Sequence, residues 1–406
     1  MNIKKKDVCT WLIALIISFL FLFRGVLPSY FSDIGLTLIF LIILSLKLRH
    51  IVLSKYHLLI IGLICGLIIV NVVNVFYAEQ LSLSLISISY YFAGVIIIII
   101  IRSIFNTHKK FSILIYTFVS LVSIVALINN FTYIMNLANG YSNLTLSEGA
   151  TLRSVGFYGN PNNYAILLNL AIGILLGYIV LSFNKLQSNK RLFTIYNLLL
   201  LNMVTSLFLT LSRGAWLAFF FMTVIATLLI INTSLKKAKV NTSFVIFTVG
   251  FFIILLFVRG INDLTEYFSE QFSMRVGHAI ESGGSGRLNI WSESPYYIFD
   301  NVINFLIGIG GNQFIHVSNM NHVHNHYLKI LIENGVIGFT ILIFMLGILV
   351  YLTLKREALT KKPCLFIPLV GFLVSSFTND HLIVKEFFFL VALILNQECL
   401  GGKNHH

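Results

Sequence analysis

The chain of 406 residues is 57% hydrophobic and only 11% charged, and its mean hydropathy is +0.90. This composition excludes a soluble globular protein and indicates an integral membrane protein, because apolar stretches of about 20 residues cross the hydrocarbon core as helices. The formal net charge of +13 would suit a nucleic-acid-binding protein, but the positions of the basic residues argue against that function.

The apolar segments predict an all-α polytopic membrane protein with about twelve transmembrane helices. The first segment is not followed by a cleavage site of small residues, so we expect it to remain as a helix rather than to be removed as a signal peptide. The predicted spans lie near residues 9–27, 33–46, 57–77, 83–101, 111–133, 160–183, 192–210, 214–232, 242–259, 327–353, 364–378 and 384–397.

The basic residues lie in clusters between these spans. With the predicted spans, the clusters from Lys4 near the start to Lys403 near the end all fall on one side of the membrane. The positive-inside rule makes that side cytoplasmic. We therefore expect both termini in the cytoplasm, and we attribute the excess positive charge to membrane topology rather than to nucleic-acid binding.

Two connections on the opposite side are long. One runs from about 134 to 159, and the other, between spans 9 and 10, from about 260 to 326. Loops of this length are usually functional or disordered. Aromatic residues in the second, including Tyr267 and Trp291, favour a folded, partly helical cap on the outer membrane surface. We predict one membrane domain over residues 1–406, with the external loop 260–326 carrying part of the active site.

The cysteines and histidines do not form a recognisable metal site. Three histidines alternate at a spacing of two, at His322, His324 and His326, and could ligate a metal from an extended strand. No carboxylate triad or cysteine accompanies them, so we expect no metal. We also assign no disulfide, because no cysteine pair has ligand-like or redox-like spacing. The cysteines are Cys9, Cys65, Cys364 and Cys399.

Arg213 stands as a single charge between two apolar stretches, in FLTLSRGAWLAFF. An arginine in the middle of a membrane costs about 2.5–3.5 kcal/mol on insertion scales, so its presence needs a reason. One interpretation is an arginine that extends to lipid phosphates. The preferred interpretation is a guanidinium that faces an anionic ligand in a cavity.

Two further arginines lie in the external connections. Arg287, in GGSGRLNIW, precedes Trp291 by four positions, which indicates a short helix, although by itself it is best interpreted as a solvated loop residue. Arg153 precedes the helix-start signal Asn160-Pro161-Asn162, and its simplest interpretation is a helix cap.

The stretch VHNHYLKILIENGVIGF, residues 323–339, places histidines just ahead of a long apolar helix. His324 is the candidate base, because a neutral imidazole near pH 7 accepts a hydroxyl proton. We expect Glu333 to pair helices or to orient a histidine, and Gly335 and Gly338 to let a neighbouring helix approach closely. Several arginines beside one candidate base suit a substrate that carries phosphate, since Arg binds phosphate oxygens in a bidentate manner.

From His324 onwards the chain reads H-N-x9-G-x-x-G, which resembles the signature of the bacterial O-antigen ligase and O-antigen polymerase superfamily. Further motifs occur in the order shown by that superfamily, and the resemblance covers roughly residues 150 to 350. These motifs are GFYGNPNNYA (156–165), LSRGAWLA (211–218) and SGRLNIW (285–291), the last followed by IGIGGNQF (307–314).

The resemblance implies a metal-independent, inverting membrane glycosyltransferase that needs no cofactor. Arg213 and Arg287 match the essential arginines of the superfamily and His324 matches its essential histidine, so these are the expected catalytic residues. The implied reaction transfers a glycan from undecaprenyl diphosphate to a sugar hydroxyl. His324 would deprotonate or orient the hydroxyl, and the arginines would stabilise the departing diphosphate. The residues expected to bind substrate are Arg153, Asn160, Asn162, Trp291, Asn325 and His326.

The resemblance leaves polymerase and ligase open. The stretches GNPNNYA and HNHYLKILIENG favour a polymerase that joins repeat units of O-antigen, capsule or exopolysaccharide. The alternative is a ligase that moves the finished polysaccharide to lipid A-core. A flippase for lipid-linked oligosaccharides is a further alternative, disfavoured because the middles of the spans are almost uncharged.

The implied location is the bacterial cytoplasmic (inner) membrane, with the active site on the periplasmic face. The implied partners are a glycan donor linked to undecaprenyl diphosphate, a glycan acceptor, the lipid bilayer and a regulator of chain length. No nucleic acid is expected among them.

Overall fold

The structure, a computed structural model, is helical. It describes residues 5–22, 29–47, 51–138, 146–147, 151–235, 287–318, 322–355, 359 and 363–401. The helices in these ranges are α1 Lys5–Leu22, α2 Ser29–Lys47, α3 Lys55–Asn74, α4 Leu81–Ile104, α5 His108–Ala138, α6 Pro161–Ser188, α7 Lys190–Leu209, α8 Arg213–Leu235, α9 Arg287–Phe299, α10 Val302–Ile307, α11 Phe314–Ser318, α12 His326–Leu354, α13 Phe366–Ser375 and α14 Lys385–Gly401. A short antiparallel pair, β1 Leu146–Ser147 and β2 Thr151–Leu152, aligns Leu146 with Leu152.

Within the described ranges, seven helices are long and apolar enough to cross a membrane. They are α3 to α8 and α12, and they coincide with predicted spans. The apolar parts of α1 and α13 are shorter, and α2 and α14 also lie where spans are predicted. The ninth predicted span, 242–259, and the loop residues 260–286 lie outside the described residues. A polytopic helical membrane protein is therefore confirmed, whereas the count of twelve spans stays a prediction.

The core of the bundle is built around α6 and α14. Almost every residue of the α6 span is buried, because α6 packs against α7, α8 and α13. The stretch from Phe387 to Leu395 in α14 is also buried on every side, and α14 packs against α4. Helices that are apolar all round belong inside a bundle, and the more exposed faces of α3, α7 and α12 are left for lipid.

A second, smaller cluster of apolar side chains joins α9 and α11 to the start of α12. It consists of Ile290, Ile298, Phe314, Val323 and Ile332. Helices α9, α10 and α11 all contact α12. The described part of the external loop therefore folds onto the first turns of α12. That this loop forms a cap on the outer membrane surface stays a prediction.

Helix α12 is broken at Gly335, whose φ is +63° and ψ is −170°. A Cβ at Gly335 would overlap the backbone of Leu306 at the end of α10. A neighbouring helix therefore approaches closely at Gly335, as predicted, and it is the short helix α10 of the external loop. At Gly338, a Cβ would overlap Asn334 of its own helix and would lie 3.8 Å from Leu67 of α3, so the neighbouring helix α3 is in ordinary contact there.

Candidate active site

Arg213 is the first residue of α8 and follows a tight turn at Leu211, whose φ is +51°. The turn is braced by Arg153, which is buried and donates from Nε to the carbonyl oxygen of Thr210 at 2.9 Å. Asn162 Oδ1 accepts from the Arg153 guanidinium at 3.3 Å and from Ser212 Oγ at 2.9 Å. Arg153 is therefore more than a helix cap: with Asn162 it fixes the turn that presents Arg213.

Asn160 caps α6. Its side-chain oxygen accepts hydrogen bonds from the backbone N–H of Asn162 at 2.8 Å and of Asn163 at 3.4 Å. This bonding satisfies backbone donors at the start of the helix. The side chains of Asn160 and Asn162 thus have structural roles in this arrangement. Their contact with substrate stays a prediction.

Arg287 begins α9 and is half-buried rather than a solvated loop residue. Burial and the positive charge of Arg213 lower the pKa of Arg287, and the charge of Asp380 opposes that shift. The Nε atom of Arg287 is buried and has no hydrogen-bond partner among the described residues. The two arginines are thus close enough to repel each other. Two neighbouring guanidinium groups, one of them with a buried and unpartnered Nε donor, favour the binding of an anion.

His324 lies in the connection just before α12, with a φ of +52°. Its pKa is lowered by burial first and then by the charge of Arg287, while Asp380 opposes the shift. His324 is therefore a neutral imidazole at pH 7, and it neighbours an arginine. Asn325 caps α12 by accepting from the backbone N–H groups of Tyr327 and Leu328 at 3.1 and 3.2 Å.

The two flanking histidines have different surroundings. The His322 ring is exposed at the surface, 5.9 Å from the His324 ring centroid. His326 is fully buried, and neither ring nitrogen has a hydrogen-bond partner among the described residues. Its backbone N–H donates to the carbonyl oxygen of Ser376 at 2.8 Å, which joins the start of α12 to the end of α13.

Trp291 connects α9 to the histidine segment. Its indole Nε1 donates to the carbonyl oxygen of Val323 at 2.9 Å, directly before His324. Since α9 also carries Arg287, this bond helps to set the position of the arginine relative to the histidine. A direct contact of Trp291 with substrate stays a prediction.

Asp380 is a site residue that the sequence analysis did not select. Its Oδ2 lies 3.5 Å from Lys329 Nζ and 4.0 Å from His322 Nδ1. Although burial opposes ionisation, the charge of Lys329 holds the pKa of Asp380 below its ordinary value, and the neighbouring histidines add to this effect when they are protonated. A usable signal was present, because Asp380 and His381 are polar residues in a short connection between two apolar segments.

His381 and Glu333 are buried nearby. Burial lowers the pKa of His381 to about 4, against the opposing charge of Asp380. The Glu333 carboxylate accepts backbone hydrogen bonds from Asn312 and Phe314. Glu333 thus holds the segment before α11 on α12, and its described hydrogen bonds orient no histidine.

A cavity of about 570 Å³ opens beside these residues. Its wall includes His322, His326 and Asp380, but not His324 or the arginines 213 and 287. Most of the other polar groups that line it are amides, an imidazole and the Lys329 ammonium: Gln80, Asn163, Asn312, His316 and Lys329. His324 is therefore close to Arg287 and to Asp380, which lines the cavity, but does not itself line it. In the part of the chain that the structure describes, no group of three or more His, Cys, Asp or Glu side chains is placed to hold a metal ion.

Comparison with known families bears on this site. Residues 198–343 match a family model described as O-antigen ligase. No curated protein matches the chain significantly. The matched range contains Arg213, Arg287 and His324, which the structure brings together. The match supports the resemblance to the O-antigen ligase and polymerase superfamily over these residues, and it indicates a membrane enzyme of that type.

Proposed function

We propose that this protein transfers a glycan from undecaprenyl diphosphate to a sugar hydroxyl at the periplasmic face of the bacterial cytoplasmic membrane. The observation that carries the proposal is the convergence of Arg213, Arg287 and the neutral His324. These residues come from two different helices and one connection, separated by long stretches of chain. Their meeting creates an anion site with a proton acceptor at its edge.

The arginine side suits the lipid-linked donor. When the bond between the anomeric carbon and the phosphate oxygen breaks, its electron pair stays on the diphosphate and the negative charge grows. Two positioned guanidinium groups stabilise that charge, which is the contribution a metal ion makes in other glycosyltransferases. The unpartnered Nε of Arg287 supplies a donor that gains an acceptor when diphosphate binds.

The cavity side suits the acceptor. Amide and imidazole groups such as Asn312 and His316 bind hydroxyl groups as both donors and acceptors. The acceptor oxygen would form its bond to the anomeric carbon from the face opposite the diphosphate, which inverts that carbon. Its proton would pass to His324. The Asp380 carboxylate would stabilise the resulting imidazolium, since its negative charge opposes the lowering of the His324 pKa by burial and by Arg287.

The polymerase remains the preferred activity, with lipid-linked repeat units serving as both donor and acceptor. The description of the matched family as O-antigen ligase favours the second candidate, transfer of the finished polysaccharide to lipid A-core. In the polymerase case, a separate regulator of chain length is the proposed additional partner.

Reconstitution of the purified protein tests these alternatives. A polymerase should elongate lipid-linked repeat units when they are the sole substrate. A ligase should leave them unchanged until lipid A-core is added. Movement of the lipid-linked glycan between leaflets without a new glycosidic bond would indicate a flippase and contradict the proposed glycosyl transfer, as would the absence of any product under all these conditions.

A further inference from the structure

A second cavity, of about 550 Å³, lies on the membrane-exposed face of α12 beyond the break at Gly335. Its wall runs from Phe339 to Tyr351 along α12, and Tyr56 at the start of α3 closes one end. Apart from Thr340, the side chains between are apolar. Several are exposed, including Ile343 and Phe344. This groove faces the lipid and lies away from the arginine–histidine site, which is at the other end of α12.

The length of the groove matches one leaflet of a bilayer. Twelve residue steps from Phe339 to Tyr351 correspond to about 18 Å of helix. The hydrocarbon core of a bilayer is about 30 Å thick, so one leaflet contributes roughly 15 Å. An acyl chain of a phospholipid in that leaflet can therefore fill the groove from end to end.

The closed end of the groove is cationic. The Nζ atoms of Lys55 and Lys355 lie 5.1 and 4.9 Å from the centroid of the Tyr56 ring. Lys355 also forms an ion pair with Glu398 at 2.9 Å. Among the described residues, Lys55 is exposed and has no carboxylate partner. The described part of this end therefore carries two ammonium groups and one carboxylate.

We propose that this groove binds an anionic phospholipid of the leaflet that faces the basic clusters. One acyl chain lies along α12, and the headgroup phosphate lies at Lys55, beside the aromatic rings of Tyr56 and Tyr351. A largely apolar groove of leaflet length that ends at two ammonium groups is complementary to this class of lipid in both shape and charge. The site is independent of the proposed glycosyl transfer.

Two glycines allow a matched test. Gly347 lines the groove, whereas Gly62 lies on α3 outside it. A Cβ at either position would meet nothing within 4 Å, and both glycines are exposed, so a leucine can begin at each position without a clash at its first atom. Gly347→Leu fills the groove, and Gly62→Leu adds the same side chain to another lipid-facing surface.

The proteins are reconstituted into nanodiscs of phosphatidylcholine and phosphatidylglycerol in equal parts, and the lipids that remain after transfer to mild detergent are measured by native mass spectrometry. Wild type and Gly62→Leu should retain phosphatidylglycerol. Gly347→Leu should lose most of this retention, because the added side chain occupies the space of the acyl chain and removes its packing contacts with α12. Lys55→Gln should bind the two lipids equally.

Three results would overturn the proposal. The first is equal retention of phosphatidylglycerol by wild type and Gly347→Leu. The second is wild type that holds phosphatidylcholine as strongly as phosphatidylglycerol. The third is a wild-type dimer that Gly347→Leu dissociates, which would show that the groove is occupied by a second copy of the chain.

Discussion

Gly308 and Gly335 abut where the end of α10 crosses the break in α12. A Cβ at Gly308 would overlap the backbone of Glu333, and a Cβ at Gly335 would overlap that of Leu306. The crossing brings Ile309 N–H to Ile332 O and Gly310 N–H to Glu333 O, both at 3.0 Å. Carbonyls freed by the break thus gain partners, which matters because an unsatisfied backbone group in hydrocarbon costs several kcal/mol.

Alanine at either glycine should destabilise the protein. The φ angles are +81° at Gly308 and +63° at Gly335, and side chains in such conformations cost about 1–3 kcal/mol before the overlap is counted. Gly347→Ala is the control, because that open helical position should gain up to about 1 kcal/mol. Thermal unfolding in detergent measures the difference. Unchanged unfolding temperatures for Gly308→Ala and Gly335→Ala would show that the crossing is not held as described.

His324→Ala should lower the rate of glycan transfer by about 100- to 10,000-fold, which is the usual contribution of a positioned base. His322→Ala should keep most activity, since the His322 ring lies at the exposed edge of the cavity. For the buried His326 we expect partial loss. Polymer formation by the purified variants measures each effect. Full activity of His324→Ala would refute its assignment as the base.

Arg213→Lys and Arg287→Lys should fold and enter the membrane but lose most turnover. Lysine keeps the charge but lacks the planar set of donors that binds two phosphate oxygens at once. Loss of one positioned donor costs about 100- to 1000-fold in rate. A transfer assay with a lipid diphosphate donor, on protein shown to be monodisperse, measures the loss. If lysine works as well as arginine at both positions, neither guanidinium contacts the diphosphate.

The charges beside His324 make a signed prediction about pH. Only the neutral imidazole accepts a proton, and the pKa of His324 lies below its ordinary value. Activity should therefore be constant near pH 7 and fall as the pH decreases through that lowered pKa. Asp380→Asn removes a charge that raises the pKa of His324, so the acid limb should move to lower pH.

Arg287→Gln should have the opposite effect on that limb, because the charge of Arg287 lowers the pKa of His324. The profile of kcat/KM against pH reports the free enzyme and is measurable even when the rate is reduced. If the acid limb of the pH profile moved in the same direction in Asp380→Asn and Arg287→Gln, the proposed arrangement of charges would be contradicted.

The side of the membrane can be tested with cysteines at two exposed positions. Asp300→Cys, between α9 and α10, should react with a thiol reagent that cannot cross the membrane, because the loop 260–326 is predicted to be periplasmic. Asn106→Cys, between α4 and α5, should react only after the membrane is permeabilised. The reverse pattern would place the arginines on the wrong side for the proposed substrate.

The sequence by itself determined the class of protein and suggested the residues of the proposed anion site. Hydrophobicity over a span-length window is a local property, so the described helices from α3 to α8 coincide with predicted spans. A charge next to an apolar span is equally local, and for that reason Arg213 could be selected without a structure. The resemblance added Arg287 and His324, and the structure places Arg287 near both Arg213 and His324.

The tertiary structure decided how these residues are held and what else surrounds them. Asp380 pairs with Lys329 across 51 positions of sequence, and Arg153 reaches Thr210 across 57. The sequence predicts that a helix approaches closely at Gly335, but it does not show that α12 breaks there or which backbone crosses the break. Periodicity and composition report the surroundings along one helix, whereas a catalytic site forms where the ends of several helices converge. That convergence depends on packing between distant segments, and only the folded chain specifies it.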